Sequence, residues 1–285
     1  SLKISPKWLW KKDTEQALII MQSISILILA AGQGRRMQNK DIPKALTLLD
    51  GKPLIRYVLD SVENSGIGER PMIVVGWQAD KAKKELGSRF DYIHQTEQLG
   101  TGHAVQSARS GLEHKAEHLI VLYGDMPFIR ASTIAELARV HLETQVPLTM
   151  ATCSVEDFDD WRRSFSGFGR VVRSTQGNIL SIVETKDATK EALVIKECNP
   201  GYYCFQADWL WRNLEALKND NAQGEYYLTD LVKIAVSNGE DIASIAIDPR
   251  EAIGINTAED IALAHKVLIK QRSLSVLGVE EEKVA

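Results

Sequence analysis

Four short apolar runs rich in β-branched residues recur along the first half of the chain. They are ISILILA (24–30), PMIVVGW (71–77), HLIVLYGD (118–125) and PLTMATCSV (147–155). Continuous apolar runs suit strands covered on both faces, since a strand with one wet face alternates polar and apolar residues. Between them lie helix-like stretches at 53–66, 103–114 and 131–144. Strands that alternate with helices build right-handed βαβ units, and these build a mostly parallel sheet flanked by helices. The expectation is an α/β fold of Rossmann-like kind.

The second half is less regular. Shorter strands are expected at 169–174, 179–185 and 202–207, with turns at TQGN and CNPG. A helix over 207–217, a polar loop, a helix from about Tyr227, a strand in DIASIAID and a helix from Thr257 follow. In EHKAEH, His114 and His118 read as a solvated helix face. Trp209 and Trp211 read as packing.

The first run breaks into AAGQGRRMQNKDIPK (30–44). Small residues let a ligand approach the backbone, and consecutive N–H groups in such a turn form a nest for an anion. Arg35, Arg36 and Lys44 add formal charge. A dinucleotide fingerprint is excluded because Met37 stands where it needs Gly or Ala, and the P-loop pattern is absent. Taken alone, the stretch is also compatible with a surface turn carrying solvated arginines. Asp125 follows an apolar strand, at the edge where open α/β sheets bind ligands, although an Asp there is often a turn or cap residue. Asn256 stands where a helix cap is expected.

A formal net charge of −4 argues against a broad nucleic-acid surface. No run approaches the ~18 apolar residues of a membrane span. Cys153, Cys198 and Cys204 match no zinc spacing; Cys198 and Cys204 are able to pair, but buried free thiols in a reducing cytoplasm are the expectation.

Several motifs, taken in order, carry a resemblance. They are LAAGQGRRM with Pro43-Lys44, QTEQLGTGHAVQ (95–106), LYGDMP (122–127), GFGRV (167–171), IVETKDAT (182–189), NPGYY (199–203), NDNAQGEYYLTD (219–230) and IGINTAED (253–260). Together they resemble the sugar-1-phosphate nucleotidylyltransferases, and within them the uridylyltransferase domains of the bifunctional bacterial enzymes that make UDP-N-acetylglucosamine. The resemblance runs from about Ile24 to Leu268. It implies the nucleotide-diphospho-sugar transferase fold, with a nucleotide-binding part at about 24–128, a sugar-binding lobe at about 129–245 and a closing segment at 246–268. Residues 1–23 are then an N-terminal extension, with Met21 standing where the domain would begin. Residues 269–285 resemble a connector. The acetyltransferase β-helix of those enzymes, and the trimer it creates, are expected to be absent, with the oligomeric state left open.

The resemblance also implies a chemistry. A sugar 1-phosphate attacks the α-phosphorus of a nucleoside triphosphate, so catalysis rests on positioning and charge neutralisation. It assigns Arg36 and Lys44 to the triphosphate and leaving pyrophosphate, and Asp125 and Asn256 to Mg²⁺. Leu29, Ala30, Ala31, Gly32, Gly34, Gln95, Gly100 and Thr101 are implied to bind the nucleotide. Tyr123, Gly124, Gly169, Glu184 and Asn199 are implied to bind the sugar, with Glu225, Tyr226, Tyr227 and Thr229 as further pocket walls. His103 receives no catalytic part. UTP and N-acetylglucosamine 1-phosphate are the implied substrates. Another hexose or amino-sugar 1-phosphate, or a non-catalytic nucleotide-sugar sensor, are the alternatives.

Three departures stand out. Pro200 replaces the usual threonine after Asn199, Phe168 replaces a tyrosine, and one extra residue lies between Arg36 and Lys44.

Overall fold

The computed structural model describes residues 23–34, 37, 42–68 and 70–276, with side chains described as far as Lys270. Arg36, most of the expected N-terminal extension, and residues 277–285 of the expected tail lie outside them.

Alternation along the first strand shows how the sheet is covered. In β1 (Ile24–Ala30), Ile24, Ile26 and Ile28 enter one apolar cluster while Leu27 and Leu29 enter another. Side chains of a strand alternate between faces, so two clusters mean that both faces are packed. On the first face lie α1 (Leu54–Ser65), α2 (Ala79–Leu86) and α5 (Ala131–Thr144). On the second lie α3 (Thr101–Ser107), α4 (Arg109–Leu112), α7 (Ala207–Leu214) and α8 (Asp230–Ser237). Helix α1 shows the local logic: Leu54, Ile55, Val58, Leu59 and Val62 form a buried stripe, and Gly66 ends the helix in the left-handed region at φ 70°.

The sheet holds β4 (Met72–Val75), β5 (Asp91–His94), β6 (His118–Tyr123), β7 (Leu148–Ser154), β8 (Gly169–Arg173) and β9 (Ile179–Val183) beside β1. It also holds β10 (Glu197–Asn199), β11 (Tyr203–Gln206) and β12 (Ile242–Ala246). A small hairpin of β2 (Leu48–Leu49) and β3 (Lys52–Pro53) stands apart, and α6 (Lys190–Leu193) is a single turn. Among the described residues the sheet has ten strands, ordered β5-β4-β1-β6-β11-β7-β10-β8-β9, with β12 against β7. Strands β5, β4, β1 and β6 run parallel, as do β7 and β12. The connections through β11, β10 and β9 are antiparallel. Most strands therefore share one direction, in a mixed sheet. The parallel quartet places the ends of β1, β5 and β6 at the same edge.

The differences from expectation have local causes. Strand β5 reads DYIH, half-buried or exposed because it is a sheet edge, so it carries no apolar run. The helix expected over 103–114 breaks into α3 and α4. His114 is not on a helix face but turns at φ 68°, and His118 opens β6. The last helix, α9, runs over Ala258–Val276. Trp209 and Trp211 pack in the second cluster, and all three cysteines are buried and free.

Candidate active site

At the edge where β1, β5 and β6 end, loops enclose a cleft of about 870 Å³. Its first wall is the turn after β1: Ala31, Gly32 and Gly34 line it, with Leu29 and Ala30 at the strand's end. Gly34 is left-handed at φ 64°, and a Cβ there would lie 3.1 Å from both Lys44 Cβ and Met37 Cγ. The turn is compact because it has no side chain at that point.

The second wall comes from QTEQLGTG. Gly100 has φ 108°, and a Cβ would meet Tyr226 O at 2.6 Å, so only glycine lets the two loops touch. They are stitched by Tyr226 N–H to Leu99 O (2.7 Å), Gly102 N–H to Tyr226 O (2.8 Å) and Leu228 N–H to Thr101 Oγ1 (3.0 Å). Gln95 and Thr101 face the cleft. So does Gln98, which the sequence reading passed over; its Nε2 donates to Ala31 O at 3.1 Å and braces the first loop.

The floor is polar. Lys44 lines it from a 3₁₀ turn (Lys44–Leu46), and its ammonium donates to the Asp125 carboxylate and to Asn256 Oδ1 at 2.6 Å. Asp125 is held from behind, since Ile255 N–H donates to its carbonyl at 3.0 Å. The helix cap expected at Asn256 falls instead to Thr257. Its hydroxyl accepts from Asp260 N–H (3.2 Å), and Asp260 Oδ2 accepts from the N–H groups of Asn256 (2.8 Å) and Thr257 (2.9 Å). This reciprocal box fixes the start of α9 and leaves the Asn256 amide facing the cleft. The donor set is hard oxygen, a carboxylate and an amide carbonyl, and both already point at one cationic atom. These residues fit a hard divalent cation with an incomplete protein shell. Among the described residues no cluster of three His, Cys, Asp or Glu exists to hold an ion by side chains alone.

On the opposite side stands Glu184, after β9. Burial pushes its carboxyl above the ordinary range, Thr229 Oγ1 donates to it at 2.9 Å in partial compensation, and the neighbouring Asp230, Asp187 and Glu225 carboxylates push it further up. Tyr123 lines the cleft beside it; burial and the Glu184 and Asp125 charges hold its phenol protonated. Glu225, Tyr227 and Lys186 complete this side, Lys186 unmarked by the sequence reading. The loops bearing them are tied by Ala222 N–H to Asp187 Oδ1 at 2.8 Å.

Five expected residues do not line the cleft; of these, Tyr226 is hydrogen-bonded through its backbone to Leu99 and Gly102, and Thr229 donates to Glu184. Gly124 lies under the cleft, its N–H donating to Leu29 O at 2.9 Å, where a Cβ would come 3.2 Å from Ala30 Cβ. Gly169 pairs with Asn199 in the sheet, and a Cβ there would strike Ile182 Cγ2 at 2.7 Å and approach Glu184 Oε1 at 3.3 Å. Asn199 is buried; its Oδ1 accepts from Gly201 N–H (3.0 Å) and its Nδ2 donates to Tyr203 Oη (2.7 Å), which leaves one amide hydrogen uncommitted. Pro200 sits inside that turn, and Gly201, at φ 86°, packs against the Tyr123 ring.

The same fold recurs in known proteins. The profile of the MobA-like NTP transferase domain matches residues 26–233. "Bifunctional protein GlmU" of Acetivibrio thermocellus is 39% identical over 249 residues, 87% of this chain and 52% of that protein. The protein of the same name from Geobacillus sp. is 42% identical over 243 residues, 85% of this chain and 51% of its own length. The chain thus spans about half the length of these relatives. Among solved structures, UDP-glucose pyrophosphorylase complexed with UDP-glucose superposes with a TM-score of 0.67 at 20% identity, covering 87% of this chain and 99% of that one. Its apo form gives 0.70 at 18% identity over 87% and 98%. At that identity the likeness carries the fold. With the family profile spanning the sheet from β1 to α8, this chain belongs to the MobA-like NTP transferase domain family.

Proposed function

We propose that this chain transfers a uridylyl group from UTP to N-acetylglucosamine 1-phosphate, giving UDP-N-acetylglucosamine and pyrophosphate, with Mg²⁺ as cofactor. The observation that carries the reading is the Lys44 ammonium drawing Asp125 and Asn256 together at the floor of a cleft walled by a glycine turn. The relatives named GlmU support the substrate pair.

In this reading the turn after β1 receives the triphosphate through its small residues and N–H groups, and Gln95, Gly100 and Thr101 receive the base. Glu184 accepts sugar hydroxyls, with Tyr123 and Asn199 beside it and with Gly124 and Gly169 keeping the backbone close. An oxygen of the acceptor phosphate forms a bond to the α-phosphorus, and the bond from that phosphorus to the bridging oxygen of pyrophosphate breaks. The acceptor phosphate is already ionised at neutral pH, so no protein base is required, and none of the cleft residues needs to take a proton. Asp125 and Asn256 would hold Mg²⁺, which supplies charge neutralisation to the phosphate oxygens when bound. Lys44, together with Arg36, would neutralise the leaving pyrophosphate.

The test is pyrophosphate release with UTP, CTP, dTTP and GTP against a panel of hexose and amino-sugar 1-phosphates. UTP with N-acetylglucosamine 1-phosphate should turn over fastest; no turnover with that pair overturns the substrate assignment. A second acceptor within the same class is favoured by one feature. The Asn199 amide is largely committed to its own Pro200-containing turn, which leaves fewer groups to read an acetamido substituent.

A further inference from the structure

We infer that His103 is a positioning residue that locks the Gln95 amide with its oxygen toward the nucleobase, and so sets the preference for uracil over cytosine. The inference rests on the uridylyl reading above and deepens it.

Gln95 follows β5, and its backbone N–H donates to Val75 O at 2.8 Å. The residue is only 4% exposed, yet it lines the cleft. Its Nε2 lies 3.2 Å from Gly100 O and 3.0 Å from His103 Nδ1. A carbonyl oxygen only accepts, so the amide atom facing Gly100 carries hydrogens; the reverse orientation would set two oxygens against each other. One of the two hydrogens goes to Gly100 O and the other to His103 Nδ1. A ring nitrogen that accepts bears no hydrogen, so in this pairing the ring hydrogen of His103 is on Nε2. Both donors of the amide are then committed, and Oε1 is the atom left for a ligand.

Each anchor is itself fixed. Gly100 O also accepts from Ala104 N–H at 3.1 Å in the first turn of α3, and the backbone of Gly100 admits no side chain. His103 sits on that same turn, its carbonyl accepting from Ser107 Oγ at 2.8 Å. His103 does not line the cleft.

The consequence for base choice is chemical. The ring N3 of uracil carries a hydrogen, which a fixed carbonyl oxygen accepts. The N3 of cytosine is a lone pair, which the same oxygen repels. A free amide would turn over and suit either base, so discrimination depends on what forbids the turn. Sites that present a fixed hydrogen-bonding group reject the mismatched ligand because buried polar atoms are left opposed. Of the two anchors, the Gly100 carbonyl is backbone, and His103 is the one a side-chain substitution removes.

The experiment compares His103→Leu, His103→Asn and His103→Lys in the full chain. Leu puts a methyl on Cγ where His has Nδ1; Asn puts a carbonyl oxygen there. Lys offers donors only and suits a half-buried position if Leu fails to fold. Dissociation constants for UTP and CTP with Mg²⁺ are measured by calorimetry, and kcat/KM with both nucleotides alongside. The UTP/CTP ratio should narrow by about tenfold in the Leu and Lys variants, the effect of losing one hydrogen-bond anchor, and stay within about threefold of the parent in Asn. An unchanged ratio in folded Leu or Lys variants overturns the inference, as does a parent chain that binds the two nucleotides equally. Binding that discriminates without any turnover sinks the uridylyl reading and leaves the role of His103 standing.

Discussion

Lys44 and Asn256 are 212 residues apart in the chain, yet the Lys44 ammonium donates to Asn256 Oδ1 at 2.6 Å and to the Asp125 carboxylate in the same contact. The three come from the loop after β1, the end of β6 and the start of α9. Nothing local joins them. A carboxylate and an amide oxygen converging on one cationic atom at the floor of a cleft also suit a hard divalent ion.

Asp125→Ala should therefore lower turnover by at least about 100-fold, the scale of removing an electrostatic stabiliser from a phosphoryl-transfer site. The Lys44–Asp125 pair is partly exposed, so thermal unfolding should shift by no more than a few degrees. Titrating Mg²⁺ against rate in the parent and the variant checks the assignment. Turnover surviving within a few-fold would remove Asp125 from the metal site.

The capping box offers a test at one remove. Thr257→Ala deletes the hydroxyl that accepts from Asp260 N–H, and loss of such a cap costs about 1 kcal/mol. The same change loosens the segment that aims Asn256. The Mg²⁺ concentration for half-maximal rate should rise while the UTP dependence at saturating Mg²⁺ stays near the parent value. Equal stability losses with an unchanged Mg²⁺ dependence would make the box a helix cap and nothing more.

Glu184 sets function against stability. Its folded-state pKa is raised above the ordinary value of 4.5, first by burial. The protonated form is thus favoured on folding. That contribution is complete below pH 4.5 and is lost as pH rises through the folded value. At neutral pH burial of this carboxyl opposes folding. Glu184→Gln should raise the unfolding temperature at pH 7.5, with the gain fading toward pH 4. It should also raise KM for the sugar phosphate more than KM for UTP, because a carboxylate accepts two hydroxyls where an amide oxygen and N–H do not. Unfolding curves at the two pH values and paired KM measurements read both effects.

Three strands of the parallel quartet were legible because β1, β4 and β6 are buried on both faces, which forces near-continuous apolar runs. Edge strand β5 and the three-residue β10 have no such signature. Their places follow from pairing partners far along the chain. In the site, the loop glycines, Asp125 and Glu184 stand in motifs that the sequence displays. Gln98, His103 and Lys186 lie in those same motifs, but their parts depend on which way a side chain turns. The Asn256 cap expectation failed by one position, because Thr257 and Asp260 complete a reciprocal box that leaves the Asn side chain outside it. The pairing of His118 with His141 joins β6 to α5 and had no local mark at all.

That histidine pair gives the chain a weakness to acid. His118 Nδ1 lies 3.1 Å from His141 Nε2, and His141 Nδ1 lies 2.9 Å from Thr149 Oγ1, with His141 only 1% exposed. Burial, and secondarily His118, push His141 down to about 3, and burial pushes His118 down as well. The unfolded chain takes up protons near the ordinary value of 6.5 while the folded chain refuses them. Stability is therefore complete above 6.5 and declines as pH falls toward the folded value. Between pH 7.5 and 5 His141 alone accounts for a loss of about 2 kcal/mol. Urea unfolding across that range should show the slope, and His141→Asn, which keeps a polar group without a titration in this window, should flatten it. The variant is expected to be less stable at pH 7.5, since it leaves His118 without its partner. The slope is the readout, and an equal slope in both proteins would move the acid sensitivity elsewhere.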